Sequence, residues 1–332
     1  MKNISVIASL VSISSVLLLQ IPLHAESNTA ESNILAPYAF SFHIIGGFMY
    51  GQNEEIVYKY AGNEVYASQL LWDGKPLFYW GAGLELSLSR PLKAKGFFGD
   101  LTANFGIPSE SGVMEDRDWI ADNHDNLTHY SSHTNFTQGM LLFAVKTGVS
   151  IPLFSRCYIK IFLSFSYLEF KWQAEDGFFQ YAEHGPWDPS IPKTDVSGPQ
   201  IRYVQNWYNL SPGLSLVIPF FNFSFALSCG ISPFIKGYAQ DNHLSPNKPQ
   251  QYNDDLRGGI SQEFKGSFTF SPRRRFSAGL SLAWRSLRGA RGASWHRYTG
   301  TNPPGPFIGS GGNSAGAGYS FWDTCLSFTV RL

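Results

Sequence analysis

The sequence of 332 residues carries 25 basic and 25 acidic side chains, so its formal net charge is zero, which excludes a general affinity for nucleic acid or a large anionic partner. Charged residues make up 15% of the chain, against about 25% in an ordinary soluble domain, while aromatic residues reach 16%. That balance argues against a water-soluble enzyme of this length.

The chain opens with Lys2 and an apolar run from Ile4 to Leu19, closed by Pro22 and His24-Ala25. One early cation, an uncharged core and a small residue at the end read as a cleavable secretory signal over residues 1–25. Residues 26–332 then read as one domain. Cys157, Cys229 and Cys325 are odd in number and far apart, so neither a disulfide framework nor metal-ligand spacing is expected, and no cofactor.

Strict alternation recurs from there on. Phe97, Leu101, Ala103 and Phe105 oppose Asp100, Thr102 and Asn104. Ile260, Gln262, Phe264, Gly266, Phe268 and Phe270 oppose Ser261, Glu263, Lys265, Ser267 and Thr269. Phe276 to Arg285 and Trp322 to Leu332 repeat the pattern. Long apolar-out, polar-in strands mark a transmembrane β-barrel, and the strands of a soluble β-sandwich would be shorter. Short turns are expected near Arg90-Pro91, Leu153–Arg156, Phe220–Asn222 and Ser271–Arg274. Long polar loops are expected near Tyr60–Asn63, Ile107–Thr134, Glu175–Pro199, Gln240–Gly258 and Arg291–Gly316. The expectation is an all-β, ten-stranded antiparallel barrel of the outer-membrane type, with both termini at the short-turn end.

Two polar motifs fall on the long-loop rim. In Met114-Glu115-Asp116-Arg117-Asp118-Trp119, two carboxylates at alternate positions point the same way on an extended backbone. Asp241-Asn242-His243 puts an acid and an imidazole at the same spacing, and an Asp that orients a His can activate water. Glu55, near the top of the first hairpin, joins them. Asp122, His124 and His133 could instead hold a metal, although their spacing is irregular. Simple parity puts Asp241 and His243 on the lipid face with Phe223, Phe225 and Leu227. A bulge near Pro233 or Gly237 is therefore expected to turn them inward.

These fragments together resemble the omptin family of outer-membrane endopeptidases. Glu55 lies in a first hairpin similar to the family's, followed by Ser68-Gln69-Leu70-Leu71-Trp72, by Met114-x-Asp116-x-Asp118-Trp119, by His129 and Asn135-Phe136, and by Asp241-x-His243. The resemblance implies a protease in the outer membrane, with its site facing outside the cell and a peptide or protein as substrate. Asp116, Asp118, Asp241 and His243 would be catalytic, activating water without a covalent intermediate. It also implies a substrate pocket in which Glu55 matches one acid while Ala239 stands where a second would lie, which weakens the expected preference for a basic side chain. Tyr167-x-Glu169-x-Lys171 resembles part of the family's lipopolysaccharide patch, with Lys171 for Arg and Asn206 at a second Arg position. Lipid-headgroup contact and a plain Glu-Lys pair at the interface both stay open there. An inactive omptin-like barrel that serves as adhesin or receptor through its 295–318 loop is one alternative. A small pore is another, its lumen filled by Asp100, Glu263, Lys265, Arg285 and Arg331.

Overall fold

The computed structural model describes residues 39–59, 65–88, 96–120, 126–154, 157–182, 185–244, 249–273, 275–301 and 303–332. The expected signal segment, the Arg90-Pro91 turn and the metal candidates Asp122 and His124 lie outside these residues. In chain order the strands are β1 (Ala39–Tyr58), β2 (Tyr66–Leu88), β3 (Gly96–Gly106), β4 (Ser109–Asp118), β5 (His129–Phe154), β6 (Cys157–Tyr181), β7 (Thr194–Asp195) and β8 (Pro199–Phe220). There follow β9 (Phe223–Ser232), β10 (Phe234–His243), β11 (Gln250–Arg257), β12 (Ile260–Arg273), β13 (Phe276–Tyr298), β14 (Ile308–Gly309) and β15 (Ala315–Arg331).

Thirteen of these runs form a closed ring of ten strands, because three barrel strands are broken in the middle: β3 continues as β4, β9 as β10, and β11 as β12. β15 pairs with β1 from Ser41↔Arg331 to Val57↔Ala315 and closes the ring. The two-residue β7 and β14 merely decorate β6 and β13. The ten-stranded barrel read from alternation is thus the fold.

The strands are longer than a membrane requires. β1 has 20 residues, β2 23 and β5 26, whereas about 9–11 cross a bilayer. Near the short turns, Ile44, Trp80, Phe97, Leu214, Leu227, Phe268, Leu280 and Phe328 point outward and are exposed, as an apolar belt demands. The opposite ends stand clear of that belt. The catalytic candidates were expected at the heads of loops, and here the structure corrects the reading. β4 and β10 carry them, because the ladders run on through much of what looked like loop. Inter-strand hydrogen bonding, not hydrophobic alternation, extends these strands above the membrane.

The register shifts where the two halves meet. Gly213 pairs with Gly230 and Leu210 with Phe234, so three residues (231–233) face two on β8. The extra residue lies at Pro233, one of the two positions expected for a bulge, and it turns Ala239 and Asp241 into the barrel. Gly258-Gly259, both at positive φ, separate β11 from β12 in the same way. On β4 the shift falls between Glu110 and Gly112. Gly112 adopts φ 112, and a side chain there would put its Cβ 2.8 Å from that of Asp73.

Between the halves lies an aromatic layer. Trp72 stacks on Tyr203 at 5.3 Å, and Phe170 stacks on Phe321 at 5.2 Å, with Trp172, Trp207 and Tyr319 around them. Gln205 ties this layer together. Its Oε1 accepts from Asn53 Nδ2 and Trp207 Nε1 at 3.0 Å, and its Nε2 donates to the Glu54 carbonyl and the Tyr203 hydroxyl at 2.9 Å. With both its amide oxygen and nitrogen engaged, Gln205 braces β1 against β8 across the barrel and stiffens the floor.

Candidate active site at the rim

Alternation on β4 aims Asp116 and Asp118 inward, while Glu115 and Arg117 form an ion pair on the other face. Asp116 lies opposite Leu70 of β2 and Ser131 of β5, and Asp118 lies opposite Ser68 and His129. Ser68 Oγ donates to Asp116 Oδ1 at 3.2 Å. Asn135 anchors the base of this wall, donating from Nδ2 to the Asp73 carbonyl at 2.6 Å. Asp73 in turn accepts from the Val113 amide at 3.3 Å, which fixes the start of the inward run.

The facing wall is β10, separated from β4 around the ring by β5, β6 and β8. Asp241 is 4% exposed, and its Oδ2 lies 2.7 Å from His243 Nε2. In the neutral ring Nε2–H donates to that carboxylate, which leaves the lone pair on Nδ1. The two walls sense each other. Burial raises the Asp116 carboxyl well above the usual range, Asp118 adds to the rise, and His243 and the Ser68 hydroxyl oppose it. Asp118 is raised by burial, against Ser68, His129 and His243. Burial alone would lower His243, but Asp241, Asp116 and Asp118 outweigh it and hold the imidazole at about 9. All four catalytic candidates therefore share one cleft.

Glu55 is inward and 4% exposed. Burial raises its carboxyl strongly, and Asp241, Asp254 and Asp116 raise it further. Ala239 also points inward and is buried, as expected. A further buried acid lies one strand away. Asp254 of β11 pairs directly with Ala239, is 7% exposed, and is held up at about 7, chiefly by burial and further by Asp241. Sequence reasoning missed it, since residues 240–258 looked like loop and a loop has no faces to assign.

The other histidines divide. His129 sits beside Asp118, with Nδ1 2.9 Å from Thr128 Oγ1 and its ring 4.4 Å from that of Tyr181. His133 is buried, with Nδ1 2.5 Å from the Asp176 carbonyl oxygen and Nε2 3.1 Å from Ser131 Oγ. Both its nitrogens are thus committed within the wall. On the outer wall Tyr167, Glu169 and Lys171 lie in a row, with Lys171 Nζ 2.7 Å from Glu169 Oε1 and the Tyr167 hydroxyl 2.7 Å from Asn206 Oδ1. Tyr208 and Tyr238 continue the row, and Lys236 Nζ lies 4.8 Å above the Tyr238 ring.

Below the aromatic floor the lumen is crossed by charge pairs. Arg285 meets Glu263 and Asp323, each at 2.8 Å, and the Tyr79 hydroxyl donates to Asp323 at 2.6 Å. A cavity of about 140 Å³ lies among them, bordered by Asp100, Lys146 and Lys265 and roofed by Tyr319 of the aromatic layer.

No curated protein sequence matches the chain. The crystal structure of outer membrane protease OmpT from Escherichia coli matches with a TM-score of 0.79 at 15% identity, over 92% of this chain and 100% of that one. At that identity the likeness speaks for the barrel alone. An outer membrane channel from Pseudomonas putida F1, at 8% identity over 92% of this chain and 100% of its own, reaches a TM-score of 0.31 and carries no weight. The Omptin family model matches residues 36–331, and the chain accordingly belongs to the omptin family of outer-membrane β-barrel proteases.

Proposed function

We propose that the chain is an endopeptidase that hydrolyses peptide or protein substrates outside the cell, using a water held between the His243–Asp241 couple and the Asp116–Asp118 pair. The observation that carries this reading is the 2.7 Å Asp241–His243 contact on a wall whose charge is felt by both aspartates opposite. His243 Nδ1 takes the proton from water, while Asp241 holds the ring and stabilises the imidazolium. Asp116 and Asp118, crowded and buried, keep a proton between them and donate it as a hydrogen bond to the developing oxyanion. The mechanism needs no covalent intermediate and no cofactor. At neutral pH the nearby carboxylates keep His243 protonated at rest, so loss of that proton precedes attack.

We further propose that Tyr167, Glu169 and Lys171 meet lipid headgroups, lipopolysaccharide among them, at the upper edge of the membrane. The support is the adjoining belt of Tyr208, Tyr238 and Lys236 on the same outer wall. The small-pore alternative has to pass a lumen crossed by Arg285, Glu263 and Asp323 beneath the aromatic floor.

Cleavage of a mixed peptide library by the purified barrel tests the reading. The wild type should cut it, and His243→Ala and Asp241→Asn should lose roughly 10²–10⁴-fold in rate with the fold unchanged. Failure of the wild type to cut any peptide, or a wild-type rate in His243→Ala, would sink the proposal.

A further inference from the structure

The connection between β6 and β8 lies on the outer face of the wall whose inner face carries Asp116 and Asp118. On β4, Glu115 and Arg117 point outward. Tyr130 of β5 lies directly opposite Arg117, and Gln180 of β6 lies directly opposite Tyr130, so these side chains share that outer face. The segment that covers them reads Pro186-Trp187-Asp188-Pro189-Ser190-Ile191-Pro192-Lys193. Its three prolines fix φ and leave it little freedom to lose on folding.

The segment is fastened at three points. Gln180, 3% exposed, donates from Nε2 to the Pro189 carbonyl at 3.2 Å and to the Ile191 carbonyl at 2.6 Å. Trp187 lays its indole against the Tyr130 ring at 5.2 Å, and its amide donates to the Leu127 carbonyl at 2.6 Å. Lys193 Nζ sits 3.8 Å above the Phe178 ring. Two paths lead from these contacts to the catalytic strand. The Tyr130 hydroxyl donates to Glu115 Oε1 at 2.9 Å, one residue from Asp116. Leu127 precedes Thr128, which is buried, and whose amide and hydroxyl donate to the Asp118 carbonyl at 2.8 and 3.0 Å. Thr128 Oγ1 also accepts from the Ile120 amide at 3.1 Å and so closes the end of the strand.

We propose that residues 186–193 are a strap in which Trp187, with Tyr130 beneath it, is a positioning residue. Through Glu115 and Thr128 the strap holds β4 from behind, so that Asp116 and Asp118 keep their place across the cleft from His243. The inference rests on the peptidase reading above and adds residues that touch neither water nor substrate. Displacing a reacting group by about 1 Å can cost roughly 10²-fold in rate. A slack strap should therefore be felt in turnover, while the rest of the cleft binds substrate as before.

Steady-state kinetics of the purified full-length barrel, on one peptide that the wild type cuts, test the strap. Trp187→Ala should lower kcat on the order of ten- to a hundredfold and leave KM within about threefold of the wild type. Trp187→Phe keeps a ring on Tyr130 and should recover most of the loss. Tyr130→Phe keeps the stack, removes only the donation to Glu115, and should lower kcat by a smaller factor, again at unchanged KM. A wild-type kcat in Trp187→Ala, even with a lowered Tm, would reduce the strap to packing. A change confined to KM would put Trp187 at the substrate, and a loss that Trp187→Phe repairs no better than Ala would deny the ring contact its role. Each of these overturns the strap while the peptidase reading stands. Should Trp187→Ala fail to fold, Tyr130→Phe carries the test, and an unchanged kcat there overturns the proposal. A wild type that cuts no peptide overturns both readings.

Discussion

The lower lumen and the rim cleft are built on the same ten strands, but they treat buried charge in opposite ways. Below the aromatic floor charges meet partners: Arg285 bridges Glu263 and Asp323, Lys160 meets Glu85 at 3.4 Å, and His43 lies 3.7 Å from Asp100. Above it Glu55, Asp116, Asp118, Asp241 and Asp254 surround His243, and three carboxylate oxygens find no hydrogen-bond partner among the described residues. Buried charge is tolerated when neutralised in place, and otherwise it must be met by protons or by a ligand. The lower half is therefore a structural filling. The upper half keeps an excess of buried carboxylate.

The largest effects should come from the catalytic quartet, and they should leave stability alone. Asp116→Ala, Asp118→Ala and His243→Ala should each cost roughly 10²–10⁴-fold in kcat, and combining them should cost little more, since all act on one water. Thermal unfolding should show the aspartate variants at least as stable as the wild type, because each removes a crowded negative charge. Multiplicative losses would mean that the groups work in separate steps.

Arg285→Met probes the other half. It strands Glu263 and Asp323, and removal of one member of a buried ion cluster costs roughly 3–5 kcal/mol. Tyr79 still donates to Asp323, which places the expectation near the lower end. Urea unfolding in detergent should report the loss, while kcat of the folded fraction stays the same. Unchanged stability would show that the lower charges do not hold the barrel.

The contrast also explains what could be read from sequence. In the membrane half, each strand meets lipid on one side and a polar lumen on the other, so side chains alternate and the barrel is legible. Above the membrane both faces are wet or mixed, the alternation fades, and β4, β11 and the end of β10 pass for loops. Asp116 and Asp118 could still be found, because their spacing puts them on one face in any extended run. Asp241 and His243 needed the bulge at Pro233, whose presence followed from their misplaced parity. Asp254 could not be found. Its meaning lies in the pairing Ala239↔Asp254, which depends on how β10 and β11 align across the connection that follows His243.

The pH profile is a milder probe of the same imbalance. The carboxylates raise His243 to about 9, so the imidazole is charged below that pH and serves as a base only as pH rises through it. Asp254, held up at about 7, adds negative charge to the cleft over a lower range. kcat/KM should thus climb between about pH 7 and 9, and the residual activity of Asp241→Asn should show that rise at lower pH, since Asp241 is the foremost of the groups that hold His243 up. A flat profile across that range would detach His243 from the proton transfer.

The smallest expected effect concerns the pocket expected around Glu55 and Ala239. If Glu55 were its single acid, Ala239→Asp would supply a missing carboxylate and raise the preference for Arg over Gln by on the order of ten- to a hundredfold. With Asp254 already opposite, the new side chain would be a cross-strand neighbour, its Cβ about 4.5–5.5 Å from that of Asp254. Two carboxylates so placed do not ionise independently, and one tends to keep its proton. The negative charge of the pocket at neutral pH should therefore hardly change, and the Arg-to-Gln ratio of kcat/KM should stay within roughly threefold of the wild type. The added carboxylate also fills space that the alanine leaves open, which works against any gain. A tenfold or larger rise in that ratio would show that the two carboxylates ionise independently and that Glu55 is the pocket's single acid.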